Sequence, residues 1–145
     1  MSASDLFTVE EKKQIKEAII RSELNTSGEI SVHVDRLCKE DVLDHAAWLF
    51  KKKKMDRTAL RNGVLLYIAL ESKKMAIIGD QGINAIVPKN FWEATKDKMM
   101  QSFKQGLVTE GIVAAVLEVG VLLKDFFPYQ KGDINELSDD MTFDK

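Results

Sequence analysis

The sequence predicts an α/β domain in which about four helices surround a small mixed β-sheet. Residues 64–70 form an unbroken apolar run, too short for a helix and too apolar for an exposed strand, so they indicate a sheet-centre strand buried on both faces. A second apolar run at residues 75–78 follows a four-residue polar connection, which suits an antiparallel hairpin. The alternating segment at residues 29–35 precedes a helical segment. This order indicates a right-handed crossover that makes residues 29–35 parallel to residues 64–70.

Length and composition indicate one globular domain with a short tail. The 145 residues are 45% apolar and 30% charged, which is ordinary for a soluble protein with a core that needs no disulfides or metals. We expect residues 1–127 to form the domain. Residues 128–145 are acidic and poorly periodic, and we expect a partly disordered tail draped on the domain. The net charge of -2 argues against a dedicated nucleic-acid or anionic-membrane binder, and we expect a monomer.

Two features favour a cytoplasmic location. Cys38 is the single cysteine and has no partner for an internal disulfide, and no charged-then-apolar leader opens the chain. An exported domain whose leader is missing from this sequence is the alternative. The apolar run at residues 112–123 is too short to span a bilayer, so it predicts a core helix.

Capping signals and periodicity locate the first two helices. Thr8 and Glu11 have the spacing of a capping box, and apolar residues then recur at helical spacing up to about Leu24. A second helix begins near Asp41, and its predicted buried stripe consists of Leu43, Ala46, Ala47 and Phe50. Residues 51–54 are lysines, which we interpret as a solvated helix end rather than a partner-binding patch.

Two further helices complete the prediction. Pro88 suits the first turn of the third helix, and Gly106 ends it. The predicted inner face of the third helix consists of Phe91, Trp92, Thr95, Met99 and Phe103. The fourth helix begins at Thr109 or Glu110, is buried over most of its surface and is bounded by Pro128.

Oxygen-bearing side chains are predicted to meet at one edge of the sheet. Glu29 and Asn62 open the two parallel strands, and parallel strands begin at the same edge. The hairpin returns Asp80 to this edge if Leu70 lies roughly opposite Met75. The topology therefore predicts that three potential oxygen ligands converge.

The predicted cluster favours calcium as its bound ion. We expect a metal site formed by Glu29, Asn62, Asp80 and, as a fourth side chain, Asn84, with backbone carbonyls and water completing the shell. Magnesium is less favoured because it demands near-octahedral geometry and retains its waters. For each residue on its own, a role in a turn or a helix cap is the alternative.

Other motifs for catalysis are weak. Cys38 is not followed by the arginine of a cysteine-phosphatase loop, and the chain has no glycine-rich lysine loop for nucleotide phosphates. The two histidines, His33 and His45, do not have the spacing of a zinc site. His33 shares a strand face with Asp35, so it is either a general acid or base or a structural histidine.

Five short segments recur in the order and spacing of a known family. They are FTVEE (residues 7–11), TSGEI (26–30), RNGVLLYIAL (61–70), GDQGIN (79–84) and EGI (110–112). With these segments, residues 7–127 resemble the TPM domain family, named for thylakoid-lumen, photosystem-repair and worm channel-modulator members, and most closely its short, leaderless bacterial subgroup. The resemblance implies a three-layer α/β/α sandwich, with helices on both faces of a small mixed sheet, and a divalent-ion site at one edge.

The resemblance also has points of departure. It places the family's TGE segment on residues 26–29, its NG pair on residues 62–63 and its glycine-rich acidic turn on residues 79–82. Many members carry an aspartate where Arg61 stands, and many have a tyrosine-containing turn where this chain has residues 80–81. One carboxylate is lost and another gained, which rearranges a cation site and bears on any activity that needs the lost carboxylate.

These observations lead to two principal functional hypotheses. The first is a calcium-binding module with a regulatory or interaction role, in which a protein partner is an expectation. The second is a metal-assisted acid phosphatase that acts on phosphate monoesters, as some plant members of the family are described to be. We favour the first, because Arg61 is the sole obvious phosphate contact and no convincing nucleophile is present. An interaction domain without an ion is a third interpretation, and whether the chain is an enzyme stays open.

Overall fold

In the part of the chain that the structure describes, the sheet has four strands, and helices cover both of its faces. The computed structural model describes residues 2–129 and 137–143. The strands are β1 (Glu29–Asp35), β2 (Gly63–Ala69), β3 (Lys74–Gly79) and β4 (Thr142–Phe143), and they lie side by side in the order β3-β2-β1-β4. The helices are α1 (Val9–Glu23), α2 (Val42–Lys52), α3 (Gln81–Asn84), α4 (Glu93–Lys104) and α5 (Val108–Lys124). Short 3-10 turns lie at Ala3–Leu6 and Met55–Arg57.

The two faces of the sheet are covered differently. Val32 of β1 and Leu66 of β2 belong to a large core that they share with α1, α4 and α5. On the opposite face, Leu65 and Tyr67 of β2 pack in a smaller core with Ala46 of α2. The side chains of β2 are buried along the whole strand. The predicted α/β/α sandwich is confirmed, with the one-turn helix α3 in addition to the four predicted helices.

The strand pairing follows the predicted topology. β1 and β2 are parallel, with Glu29 level with Gly63, and β2 and β3 are antiparallel. The hairpin register differs from the prediction, because Met75 pairs with Ile68 rather than with Leu70. Leu70 belongs to the turn, in which Lys73 adopts a positive φ of 54°. This register brings the end of β3 closer to the start of β2 than the sequence predicted.

The predicted tail contributes a strand to the sheet. β4 pairs with β1 in parallel, with Thr142 opposite His33 and Phe143 opposite Val34. The sequence did not predict this strand, because two residues in an acidic segment show no periodic signal. Residues 130–136 and 144–145 of the predicted tail lie outside the described residues.

The predicted start of α1 is confirmed by its cap. Thr8 Oγ1 accepts a hydrogen bond from the Glu11 N–H at 3.0 Å, and Glu11 Oε1 accepts one from the Thr8 N–H at 2.9 Å. This reciprocal pair satisfies two N–H groups that a helix start leaves without partners. α1 then packs on α5, and Ser22 Oγ donates to the Val116 carbonyl at 2.8 Å.

The predicted buried stripe of α2 is partly wrong. Ala46 and Phe50 are buried as expected, but Leu43 is 56% exposed and Ala47 is also exposed. Leu49 takes part in the buried stripe instead. The helix is rotated relative to the prediction, so its inward face runs from Ala46 through Leu49 and Phe50 towards Lys53.

The interpretation of the lysine run is wrong for one residue. Lys51, Lys52 and Lys54 are exposed, in agreement with a solvated helix end. Lys53 is half-buried, and its Nζ donates to Ser31 Oγ at 2.5 Å and to Thr142 Oγ1 at 2.9 Å. The lysine run therefore contains one structural residue that holds α2, β1 and β4 together.

The start of the predicted third helix, which is α4, needs correction. Pro88 lies five residues before α4, in a turn where its carbonyl accepts from the Phe91 N–H at 3.1 Å, rather than in the first helical turn. The predicted inner face is otherwise confirmed, since Trp92, Thr95 and Met99 are buried. Phe91 and Phe103 are half-buried against the same core.

The described residues also bear on membrane insertion. Within residues 2–129 and 137–143, no helix is both long enough and apolar enough to cross a membrane. The apolar helix α5 instead lies in the core, as predicted, with buried residues along its length such as Ile112 and Val119.

Replacing Gly120 by alanine should lower the free energy of unfolding by about 1–3 kcal/mol, because overpacking at a close helix contact forces side chains or backbone to shift. An added Cβ would lie 1.9 Å from Ser22 Oγ, on the facing helix α1. Denaturant melts measure the change. Val121→Ala is the control, because Val121 is 60% exposed on the same helix, and it should change stability little. Equal losses in the two variants would contradict the close contact of α1 and α5.

Candidate functional site

The edge that the sequence predicted as a metal site is formed by the starts of β1 and β2 and the end of β3. The Glu29 N–H donates to the Asn62 carbonyl at 3.2 Å, and the Asp80 N–H donates to the Gly63 carbonyl at 2.9 Å. The backbones of Glu29, Asn62 and Asp80 therefore meet at one edge, as the parallel topology requires. Their side chains, however, have different partners.

Asp80 is engaged by an arginine. Its buried carboxylate accepts from Arg61 Nε at 2.7 Å and from Arg61 Nη2 at 2.9 Å, and Oδ1 also accepts from the Gln81 N–H at 2.8 Å to cap α3. The backbone of Arg61 has a positive φ of 51°. Gly82 packs directly on this backbone, where an added Cβ would lie 2.5 Å from the Arg61 carbonyl oxygen. A cation at Asp80 would compete with the guanidinium of Arg61.

The two predicted asparagine ligands bind the backbone of neighbouring turns. Asn62 is buried, and its Nδ2 donates to the Ser27 carbonyl at 3.2 Å, which joins the segments that precede β1 and β2. Asn84 is exposed, and its Nδ2 donates to the Gly79 carbonyl at 2.9 Å. These contacts are of the turn and cap type that the sequence left open as the alternative.

Glu29 lies in a different environment, among other carboxylates. Its side chain is only 4% exposed and interacts electrostatically with Glu23, the last residue of α1. Burial, a hydrogen bond with Asp139 and the charges of Asp139 and Glu29 together raise the pKa of Glu23 to about 10. One Glu23 oxygen accepts from the Ile30 N–H at 3.1 Å. At neutral pH, Glu23 therefore holds a proton between two neighbouring acids.

Asp139 completes this carboxylate cluster, which we define as Glu23, Glu29 and Asp139. Its Oδ1 is buried and has no hydrogen-bond partner among residues 2–129 and 137–143. Carboxylate oxygens are the ligands that calcium prefers, so the chemistry of the donors fits this ion. The geometry is less complete, because no three His, Cys, Asp or Glu side chains of the described chain are grouped so that they could hold a metal ion.

Glu23 and Asp139 were not among the residues predicted from the sequence. Glu23 ends a helix, where an acidic residue is normally solvated, and Asp139 lies in an acidic segment without periodicity. The only available signal was the position of Glu23 close before the start of β1. Nothing in the sequence indicated that Asp139 returns to that place.

An open groove lies beside α3. Its volume is about 600 Å³, which is within the range of small-molecule sites. It is lined by Ala47, Phe50, Ile78, Gly79, Asp80, Gln81, Asn84 and Ala85. None of these lining residues is basic, and the carboxylate of Asp80 is paired with Arg61. The groove therefore lacks the cationic side chains that bind a phosphate group.

The polar face of β1 forms a second cluster on the α2 side of the sheet. Asp35 lies at its centre, with Oδ1 2.7 Å from His33 Nε2, and with Oδ2 accepting from Tyr67 OH at 2.6 Å and lying 3.3 Å from His45 Nε2. Burial favours a raised pKa for Asp35, but the hydrogen bonds from His33 and Tyr67 and the charges of the histidines outweigh it and lower the pKa. His45 also contacts Glu40 through Nδ1. The strand that the sequence predicted as half-polar is thus buried along its whole length.

This second cluster continues to the end of α2 through a residue of β4. Thr142 Oγ1 lies 2.7 Å from His33 Nδ1 and accepts from Lys53 Nζ. Burial lowers the pKa of Lys53 to about 8, and the amine bonds to hydroxyl groups rather than to a carboxylate of the described chain. His33 is therefore enclosed on both ring nitrogens, which agrees with the structural interpretation of this residue and leaves it 7% exposed.

The architecture is that of a small α/β/α domain, in which one edge of a mixed sheet carries acidic and amide side chains. The family model of the TPM domain, labelled TPM phosphatase, matches residues 1–122, and the chain belongs to the TPM domain family. The resemblance seen in the sequence is thereby confirmed.

Solved structures support the same assignment. The chain is 43% identical to the BA42 protein of the psychrophilic bacterium Bizionia argentinensis, with a TM-score of 0.88 and 94% of each chain covered. The N-terminal domain of the cg2496 protein of Corynebacterium glutamicum has the same fold at 12% identity, with a TM-score of 0.66 over 96% of this chain and 82% of that one. Comparison with curated proteins gives no match.

Arg61→Ala should destabilise the fold, because it leaves the buried Asp80 carboxylate without its partner, by an amount that solvent screening of the partly exposed guanidinium limits. Arg61→Lys should recover only part of the loss, since lysine lacks the planar fork that binds both oxygens.

Thermal melts with and without calcium extend the test to the predicted ligand role of Asp80. We expect calcium to stabilise Arg61→Ala more than the wild type, and Arg61→Ala combined with Asp80→Asn to lose this gain. The same calcium response in both variants would remove Asp80 from the site.

Proposed function

We propose that this TPM domain is a calcium-binding module in which the ion regulates how the C-terminal segment docks on the sheet. The proposal keeps Glu29 from the predicted site as the central ligand and adds Glu23 and Asp139. These residues come from the end of α1, the start of β1 and the segment before β4. An ion at the carboxylate cluster would therefore join three parts of the chain.

The raised pKa of Glu23 is the observation that supports the proposal most strongly. Glu23 interacts with both Glu29 and Asp139, and carboxylates that interact in a desolvated place repel one another unless a proton or a cation neutralises them. Without a cation, Glu23 keeps its proton at neutral pH and shares it with Asp139. Calcium would replace this proton. Asp139 Oδ1, which is buried without a hydrogen-bond partner in the described chain, would then coordinate the ion.

Calcium fits the cluster better than other ions. It accepts six to eight oxygen ligands at flexible distances, so backbone carbonyls and waters can complete what three carboxylates begin. Binding would also require the carboxylates to draw together, because the described residues are not already grouped to hold a metal. A site that must rearrange and lose a proton binds its ion more weakly, and about micromolar to millimolar affinity is expected.

The remaining predicted ligands have a supporting role in this proposal. Asn62 binds the backbone before β1 and accepts from the Glu29 N–H through its carbonyl, so it fixes the position of Glu29. Asp80 and Asn84 order the turn at α3 next to the same edge. Their direct participation stays a prediction, and the Arg61 variants test it for Asp80.

The phosphatase alternative has less support. Arg61, the phosphate contact considered from the sequence, is paired with Asp80, and the groove beside α3 has no basic residue in its lining. Hydrolysis of a phosphate monoester by the wild type, together with its loss in Asp80→Ala, would favour this alternative over a binding module.

Adding calcium at about pH 7 should release about one proton per bound ion, because Glu23 must become a carboxylate to bind it. The pKa of Glu23 is raised, so the stability from this group is fully present below its ordinary value near 4.5 and is lost as the pH rises through about 10. Calcium competes with that proton, and its apparent affinity should rise as the pH increases from about 6 to about 8, by at most about tenfold per pH unit. Calorimetry in buffers of different ionisation enthalpy measures both quantities.

Two variants and a control make the test specific to the cluster. Glu23→Gln should bind calcium more weakly and without proton release, and Asp139→Asn should also weaken binding. Glu17→Gln is the matched control, because Glu17 is an exposed residue of the same helix. Unchanged affinity and proton release in Glu23→Gln would contradict the proposed site, and the absence of binding at millimolar calcium in the wild type would contradict the function.

A further inference from the structure

We infer that the hydrogen-bond chain on the polar face of β1 is a pH-sensitive latch, in which protonation of His33 releases β4 from the edge of the sheet. The inference does not depend on the proposed calcium site. It depends on the second cluster, and in particular on the hydroxyl of Thr142, which lies between Lys53 and His33.

The latch begins with the pairing of β4. Within the described part of the chain, Thr142 and Phe143 pair with β1, and the Thr142 hydroxyl makes polar contacts with both β1 and α2. On the opposite side of the sheet, the ring of Phe143 contacts the ring of Phe7 with their centroids 5.8 Å apart, and Lys12 Nζ lies 5.3 Å above the Phe143 ring. A strand with few pairing contacts at the edge of a sheet is expected to open more readily than the central strands when one of its contacts is lost.

With a neutral His33, the hydrogen bonds between Lys53, Thr142, His33 and Asp35 can all run in one direction. Lys53 donates to Thr142 Oγ1, the Thr142 hydroxyl donates to His33 Nδ1, and His33 Nε2–H donates to Asp35. This arrangement runs in one direction, and the protons of the Thr142 hydroxyl and of His33 Nε2 each have an acceptor. The docked position of β4 therefore matches the neutral form of His33.

Protonation of His33 at Nδ1 would disrupt this arrangement of hydrogen bonds. His33 Nδ1 would then be a donor, so Thr142 Oγ1 would accept from both His33 and Lys53. The Thr142 hydroxyl proton would be left with the Val32 carbonyl, which lies 3.5 Å away, too far for a good hydrogen bond. The change would also place two cations on either side of one hydroxyl group in a buried setting.

The other groups around His33 do not cancel this effect. The titratable groups that face it or continue the chain are Asp35 of β1, Tyr67 of β2, Lys53 and His45 of α2, and Glu40 before α2. Asp35 attracts the imidazolium, but Asp35 and His33 both belong to β1, so this attraction is the same whether β4 is docked or released. Glu40 contacts His45. The cost of protonation therefore falls on the contact between His33, Thr142 and Lys53.

Nuclear magnetic resonance of the full chain tests the latch. Contacts between the rings of Phe7 and Phe143, and the signals of Thr142, should report docked β4 at about pH 7.5 and increasing release at about pH 5.5. A chelator present throughout removes calcium, so that failure of the proposed calcium function and failure of the latch are distinguishable. We expect the released fraction to rise about tenfold between the two pH values.

Three variants identify the residue that carries the proton. His33→Gln cannot gain charge, so its β4 should stay docked at both pH values. Thr142→Val, on the outer strand and nearly isosteric, should weaken docking at both pH values and remove the pH response. His45→Gln is the matched control and should keep the response, because the polar contacts of His45 are with Asp35 and Glu40, while Thr142 bonds to His33 and Lys53. A response that persists in His33→Gln or disappears in His45→Gln would overturn the inference, as would β4 that stays docked in the wild type at the lower pH.

Discussion

Burial of β2 on both faces is the constraint on which the rest of the structure depends. An apolar strand at the centre of a sheet requires a helical layer on each side and a neighbouring strand along each edge, because its side chains and its backbone must both leave water. α1, α4 and α5 supply one layer, α2 supplies the other, and β1 and β3 pair with its edges. The crossover through α2 then fixes β1 as parallel, and the hairpin fixes β3 as antiparallel. The edge where Glu29, Asn62 and Asp80 meet is a consequence of this pairing.

The cover that β2 requires also encloses the polar side chains of β1. Ser31, His33 and Asp35 lie next to β2 and under α2, and buried polar groups are costly unless they are hydrogen-bonded. β2 itself supplies only Tyr67 OH, so the remaining partners come from elsewhere, namely Lys53 and His45 of α2 and Thr142 of β4. Thr142 of the C-terminal segment therefore completes the hydrogen bonding of β1, the strand that pairs with one edge of β2.

The sequence predicted the parts of the structure that depend on periodicity, capping and chain order. The Thr8 cap, the strand pairing and the convergence of backbones at one edge follow from local patterns and from the handedness of a crossover. The misplaced face of α2 has a physical reason, because the true inward stripe runs towards Lys53, and a lysine is normally assigned to solvent. Asp139 and Thr142 could not be placed, since their positions depend on tertiary docking of a segment without periodicity. Residue spacing also does not reveal the side-chain partners at the edge where the backbones converge. Asp80, for example, forms an ion pair with Arg61.

The two proposed sites meet in the same short segment of the chain. Asp139 belongs to the carboxylate cluster and Thr142 belongs to the latch, and only residues 140–141 separate them, of which Met141 is buried in the core. An ion that holds Asp139 restricts the freedom of Thr142, and a proton that releases Thr142 loosens Asp139. Thermodynamic linkage makes such an effect reciprocal, so calcium would favour the neutral form of His33 and acid would weaken calcium binding beyond the direct effect of protonating Glu23. Under the two proposals, the docking of one segment would give calcium and pH a physical route to act on the same domain.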